Sequence, residues 1–110
     1  MLLRVGPLPE DALAAAAAFH GAVVPKVLGS GEAMVTLVFA PAGHEHAGWR
    51  LAAVQSLARA LSPARVNALA SADEAAITAA ASYLQSAPGV TGQYLVLDGA
   101  GAGPVVNSDA

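Results

Sequence analysis

The fold of this chain is decided by residues 50–99, which read RLAAVQSLARALSP (50–63), ARVNALA (64–70), SADEAAITAAASYLQSAPG (71–89) and VTGQYLVLDG (90–99). The first and third pieces have the length and the Ala-rich composition of helices. The second and fourth pieces are short apolar runs, which are typical of strands. Helices that alternate with strands in this way favour βαβ units, in which the strands lie parallel in one sheet.

The residues before this stretch continue the alternation. Residues 1–5 are a short apolar run and predict a brief strand. Residues 33–39 (AMVTLVF) are apolar almost throughout, as expected of a strand that is covered on both faces. Between these two strands the pattern predicts a helix over residues 13–28, and we expect Pro25 to kink or end its last turn.

The boundaries of the later elements follow from the same signals. A helix is predicted over residues 48–61, and strands over residues 65–69 and 93–97. Ser71 has Glu74 three residues later, and this spacing predicts a capping box at the start of the third helix.

The predicted fold class is therefore α/β, and the family resemblance given below implies that it is a truncated Rossmann-like domain. It has a parallel sheet of about four strands in the order 1-2-3-4, together with three helices. Residues 1–99 are expected to form this domain, and residues 100–110 a flexible tail rich in Gly, Ala and Pro.

The composition favours self-association. Charged residues make up only 12% of the 110 residues, whereas an average soluble domain has roughly 25%. Hydrophobic residues make up 55%. Because a small domain with so little polar surface is poorly suited to exist as a monomer, we expect a homo-oligomer, either a dimer or a tetramer.

Several other classes of protein are disfavoured by the composition. The five basic residues are scattered and the net charge is −3, so nucleic acid is not an expected partner. The sequence has no cysteine, which excludes disulfides and Cys-based zinc sites. We see no signal peptide and no apolar run long enough to cross a bilayer, so the prediction is a cytoplasmic protein without a membrane partner.

Two segments resemble a known family. RVN at residues 65–67 and VTGQYLVLDG at residues 90–99, with the Ala-rich helix that ends in SYLQS between them, closely resemble the C-terminal half of the short-chain dehydrogenase/reductase (SDR) family. Residues 19–28 (FHGAVVPKVL) resemble the fourth helix of that family, and residues 30–43 its fifth strand and following turn. The resemblance implies a chain that begins at the family's fourth strand and lacks its cofactor-binding first half.

The resemblance also implies that the family's catalytic residues are replaced. SDR enzymes use a serine after the fifth strand, and a tyrosine and a lysine on the helix that follows, to position the substrate and move a proton. The matching positions hold Ala40, Ala47 and Leu51, none of which can do this chemistry. The family's long substrate-covering loop is also missing after Ala70. The resemblance therefore implies that no catalytic residue carries over, which disfavours an enzyme and leaves a site built from other residues as the alternative.

No cofactor is predicted either. A dinucleotide site needs a Gly-rich turn between a strand and a helix, so that the pyrophosphate lies at the helix N-terminus. The only Gly-rich run is GAGAG at residues 99–103, which Pro104 follows directly. The sequence ends at Ala110 and leaves no room for a helix after this run.

One polar cluster is a candidate pocket. It consists of His44, Glu45 and His46 with the neighbouring Trp49 and Arg50. Two histidines with a carboxylate between them could ligate a metal ion, but a third ligand is needed, and His20 lies in a helix with no evident reason to meet this loop. Solvated loop polarity without a metal is the main interpretation, and a metal or acid–base site is the alternative.

The other polar and aromatic residues are given structural interpretations. Arg65 and Asn67 are expected to be structural, and Asp98 to close the last strand through hydrogen bonds to local backbone. Tyr83 and Tyr94 are expected to be core or interface aromatics. Trp49 is a candidate packing anchor at a subunit contact.

Two functional hypotheses follow. The first is a non-catalytic SDR-like protein (a pseudoenzyme) that forms a homo-oligomer, or a hetero-oligomer as an accessory subunit of a full-length SDR. The resemblance implies a four-helix bundle made of residues 13–28 and 49–61 from two subunits. The second is a small oxidoreductase-like enzyme or ligand-binding protein with a pocket rebuilt at the subunit interface around residues 44–50. A decayed gene product is a third possibility.

Overall fold

The computed structural model of the protein describes residues 1–97, and four parallel strands form one sheet in this part of the chain. The strands are β1 (Leu2–Arg4), β2 (Met34–Phe39), β3 (Arg65–Ala70) and β4 (Tyr94–Val96). The helices are α1 (Ala12–Ala22), α2 (Val24–Leu28), α3 (Ala47–Leu61) and α4 (Glu74–Gln85), and a 3₁₀ turn spans His44–His46.

The strand order is β1-β2-β3-β4, and every neighbouring pair is parallel. The longest pairing joins β2 to β3, from Met34 opposite Arg65 to Phe39 opposite Ala70. The sequence-based prediction of an α/β, Rossmann-like fold with this strand order is therefore confirmed.

Helices cover both faces of the sheet. On one face, Leu37 of β2 and Ala68 of β3 pack against α1, α2 and α3. On the other face, Val38 and Leu69 pack with Ile77 of α4. Because successive strand residues point to opposite faces, a central strand can be apolar along its whole length only when both faces are covered. This explains the continuous apolar runs of β2 and β3.

The first predicted helix is divided in two. α1 ends at Ala22 and α2 begins at Val24, so the break comes before Pro25 and not after it. Pro25 lies in the first turn of α2, where its missing N–H group costs no helical hydrogen bond. The predicted helix over residues 13–28 is thus divided at Val23, and its last turn is the separate segment α2.

The predicted capping box at Ser71 is wrong. The N-cap residue of α4 is Asp73, whose Oδ1 accepts hydrogen bonds from the N–H groups of Ala75 (3.0 Å) and Ala76 (3.4 Å). Ser71 is buried, and its hydroxyl accepts a hydrogen bond from the N–H group of Asp73 at 3.0 Å. Glu74 instead forms an exposed ion pair with Arg4, with an N–O distance of 2.8 Å.

Some expectations fall on residues that the structure does not describe. The role of Asp98, the Gly-rich run at residues 99–103 and the tail at residues 100–110 all lie outside residues 1–97. Among the helices within that range, none has the length and apolar character needed to cross a membrane.

Asn67 is a structural residue that joins β3 to the segment before β4. It is fully buried, its Nδ2 donates to the carbonyl of Val90, and its Oδ1 accepts from the N–H group of Gln93, both at 3.0 Å. The side chain thus satisfies a donor and an acceptor of the turn that places β4 beside β3.

We expect Asn67→Ala to lower the free energy of unfolding by about 1–3 kcal/mol, because it leaves the partner groups of the turn without hydrogen bonds. Urea unfolding followed by the fluorescence of Trp49, the single tryptophan, measures this change. Gln85→Ala, at an exposed position of α4, is the control and should change the value by less than about 0.5 kcal/mol. Equal effects of the two substitutions would contradict a structural role for Asn67.

Candidate functional site

A cavity of about 660 Å³ lies at the carboxyl ends of β1 and β2. Its walls are residues 5–10, which follow β1, residues 39–43 at the end of β2, and the side chains of Glu45, His46 and Arg50. In open α/β sheets ligands bind at this edge, and the volume lies in the range of small-molecule sites. It is therefore the candidate functional site.

The structure divides the predicted pocket residues into two groups. Glu45, His46 and Arg50 line the cavity, whereas His44 and Trp49 do not. The cavity is formed by one chain, so it does not need a subunit interface to exist.

His46 is held on both ring nitrogens. The indole Nε1 of Trp49 donates to His46 Nδ1 at 3.0 Å, and His46 Nε2 lies 2.9 Å from the carbonyl oxygen of Glu10. Indole N–H is a donor only, so Nδ1 must be the acceptor; Nε2 then carries the hydrogen and donates to Glu10. These bonds select the tautomer that carries its hydrogen on Nε2, and both ring nitrogens are engaged within residues 1–97.

The interpretation of this cluster as a solvated loop is wrong for His46, which is only 6% exposed. Its neighbours His44 and Glu45 are exposed. The carboxylate of Glu45 lies 3.9 Å from His46 Nε2, too far for a hydrogen bond. Within residues 1–97, no group of three His, Asp or Glu side chains is arranged to hold a metal ion.

Trp49 belongs to an aromatic cluster inside the subunit. Its ring lies 5.5 Å from that of Phe19 and 5.8 Å from that of Phe39, centroid to centroid. Tyr94 packs edge-on against Phe39 at 6.1 Å. Trp49 is thus a packing anchor between α1, α3 and β2. Tyr83, by contrast, is 59% exposed on α4 and is not a core residue.

Arg50 is the most unusual side chain of the site, because its guanidinium is almost completely buried. The residue is 4% exposed, and its Cζ lies 4.4 Å from the centre of the Phe39 ring. Its Nη1 donates to the carbonyl of Ala40 at 3.0 Å and to the hydroxyl of Tyr94 at 3.1 Å. Stacking and two hydrogen bonds therefore fix the position of the group.

The charge of Arg50 has no carboxylate beside it among residues 1–97, where no Asp or Glu oxygen lies within 4.0 Å. Its Nε is buried and makes no hydrogen bond within this part of the chain. Burying a charge without a partner costs several kcal/mol, so such groups normally pair with an anion. Within residues 1–97, the positive charge of Arg50 is therefore not neutralised.

The sequence also matches a family model, and the α/β sheet described above is consistent with that match. The model of the short chain dehydrogenase-like proteins matches residues 3–97 of the 110. The chain belongs to this SDR-like family. No curated protein matches the chain, and no solved structure does.

In this SDR-like protein, the three positions that resemble the catalytic serine, tyrosine and lysine hold residues without polar side-chain atoms. Ala40 follows β2 and lines the cavity. Ala47 begins α3. Leu51 lies one turn further along α3, is 38% exposed, and does not line the cavity. The residue that reaches the cavity from this helix is Arg50.

Sequence reasoning missed several parts of the site. Phe39, Tyr94 and the carbonyl oxygens of Glu10 and Ala40 all contact the candidate residues. Phe39 could have been found, because it ends a buried strand at the edge where ligands bind. The carbonyl acceptors carry no sequence signal, because every residue has one.

We expect His46→Ala to lower the free energy of unfolding by about 1–3 kcal/mol, because it leaves the indole N–H of Trp49 unpaired. The emission of Trp49 should also shift to the red as water reaches the ring. Urea unfolding and fluorescence spectra measure both effects.

The matched control is His44→Ala, two residues away at an exposed position. It should change the free energy of unfolding by less than about 0.5 kcal/mol. A His46→Ala variant as stable as His44→Ala would contradict the structural role of the His46 ring.

Proposed function

We propose that this SDR-like protein is a non-catalytic subunit that associates with copies of itself, or as an accessory subunit with a full-length SDR. One observation carries the proposal. At the edge of the cavity, where groups that transfer protons would be needed, lie the buried guanidinium of Arg50 and the imidazole of His46, and hydrogen bonds hold both of them in place.

The missing chemistry supports the non-catalytic half of the proposal. A proton relay needs a side chain that gains and loses a proton near the substrate. Ala40, Ala47 and Leu51 supply none, and both ring nitrogens of His46 are engaged. None of the three strand-to-helix connections in residues 1–97 has the Gly-x-Gly-x-x-Gly pattern that a dinucleotide pyrophosphate requires.

The outer surface of the helices supports association. Leu13 of α1 is 84% exposed, Leu28 of α2 49% and Leu51 of α3 38%. All three helices pack on the same face of the sheet. α1 contains no Asp, Glu, Lys or Arg, and its exposed positions include Ala14 and Ala17. Helices with such an uncharged surface of Leu and Ala side chains can pack closely against other helices. A second copy of the chain has the same surface and can supply those helices.

The experiment is native mass spectrometry of the wild type and of the double variant Leu13→Arg/Leu51→Arg. We expect a dimer or tetramer for the wild type. The variant should be a folded monomer, with the dissociation constant raised by about 100-fold, because two unpaired charges would have to be buried in the contact. Both side chains are exposed in the single chain, so the fold should be retained.

The control is Ala72→Arg, at an exposed position of the loop before α4 and away from the helices α1, α2 and α3. It should associate like the wild type. A monomeric wild type that also captures no SDR chain when purified from its own host would contradict the proposal. Saturable binding of NADH, or reduction of a carbonyl compound, would contradict its non-catalytic half.

A second function, binding of a small molecule in the cavity, is favoured by the buried charge of Arg50. The cavity reaches this guanidinium, and no described carboxylate neutralises it. This function is compatible with association, since residues of one chain line the cavity.

A further inference from the structure

The hydrogen-bonding capacity of Arg50 is only partly used. A guanidinium has five N–H groups, two of them on Nη1, and the two on Nη1 are taken by Ala40 and Tyr94. Nε is buried without an acceptor, and Nη2 makes no hydrogen bond within residues 1–97. The unused groups form the Nε/Nη2 edge of the guanidinium.

A guanidinium N–H group without an acceptor can pair with a carboxylate oxygen. Nε itself is buried, so a ligand in the cavity would interact with the positive charge of the guanidinium and not with this N–H group. The Phe39 ring and the two Nη1 bonds already hold the guanidinium. Binding of an anion would therefore cost little conformational entropy, because the side chain of Arg50 is already held in place.

The rest of the cavity selects among anions. Pro7, Leu8, Pro9 and Pro41 supply apolar walls. Glu10 and Glu45 also line the cavity, and both residues are exposed. Two carboxylates on the walls of a cavity with one guanidinium disfavour a ligand with several negative charges, such as a phosphate or a nucleotide. They tolerate a ligand with a single charge that is held at Arg50.

We infer that the cavity binds a small organic monocarboxylate, whose carboxylate pairs with the guanidinium charge of Arg50 and whose apolar chain contacts the prolines of the two loops. This inference rests on the second proposed function, small-molecule binding, and is independent of self-association.

The alternative to a bound ligand is an ion pair of Arg50 with a carboxylate of the chain itself, and the test uses Asp98, which follows the described residues 1–97 in the sequence. If this carboxylate neutralised Arg50, an added anion would gain nothing unless Asp98 were replaced. Asp98→Asn therefore separates a ligand site from an internal ion pair.

The experiment is a titration of the full chain with sodium hexanoate, followed by Trp49 fluorescence and by the shift of Tm. The Trp49 ring lies 5.9 Å from Arg50 Cζ, so it reports on the site directly. Hexanol, which has the same chain without the charge, and inorganic phosphate are the comparison ligands. We expect saturable binding of hexanoate with a rise in Tm, and much weaker binding of the other two.

The decisive variant is Arg50→Met, which keeps an unbranched side chain against Phe39 and removes the charge. Replacing a buried charge by a hydrophobic residue of similar size often leaves stability unchanged or improved. The variant should weaken hexanoate binding by about 100-fold, the loss expected for one hydrogen bond to a charged group. Arg59→Met, at an exposed position of the same helix, should bind within about twofold of the wild type.

The outcomes are distinct. Hexanoate binding that Arg50→Met abolishes and Arg59→Met retains supports the inference. Binding of phosphate in preference to hexanoate overturns the ligand class but leaves small-molecule binding intact. Binding of neither ligand by the wild type overturns both, and binding of hexanoate by Asp98→Asn alone then shows the reason, which is that the chain neutralises Arg50 itself. Equal binding by wild type and Arg50→Met places the ligand elsewhere and also overturns the inference.

Discussion

The burial of β2 and β3 on both faces constrains the rest of the molecule. The two strands pair along six residues each, and five consecutive residues of each strand are buried. Their backbone polar groups are satisfied by their neighbours in the sheet, and their side chains need an apolar layer on either side. α1, α2 and α3 supply one layer and α4 the other. β1 and β4 are short, and they need only extend the pairing at each edge.

This arrangement places the loops after β1 and β2 next to each other, and the cavity lies between them. The edge is the one at which SDR-like folds are expected to bind ligands. Among residues 1–97, α3 places the buried side chain of Arg50 at this edge. Fixed charges recognise and position anions, whereas catalysis of proton transfer requires groups that change protonation during the reaction. Retention of the fold therefore does not imply retention of the activity.

Much of the fold could be predicted from sequence because its signals are local. The apolar runs of β2 and β3, the alternation with helices and the parallel order follow from periodicity and composition. The boundaries were less predictable. Asp73 and Ser71 are both good N-cap residues, and the path of the chain out of β3 decides that Asp73 caps α4. Likewise, the proline rule predicted a helix break near Pro25 but did not determine on which side it would fall.

For the candidate site, the sequence by itself determined the residue types at the edge of the sheet, including Arg50 and His46, and the absence of serine, tyrosine and lysine at the positions that resemble a catalytic set. Only the tertiary structure decided that His46 is buried between Trp49 and Glu10 while His44, two residues away, is exposed. It also decided that Arg50, and not its neighbour Leu51, turns inward onto Phe39. The physical reason is that burial and hydrogen-bond partners come from segments distant in sequence: Glu10 is 36 residues from His46, and Tyr94 is 44 residues from Arg50. A local sequence pattern carries no information about which of these distant groups will meet.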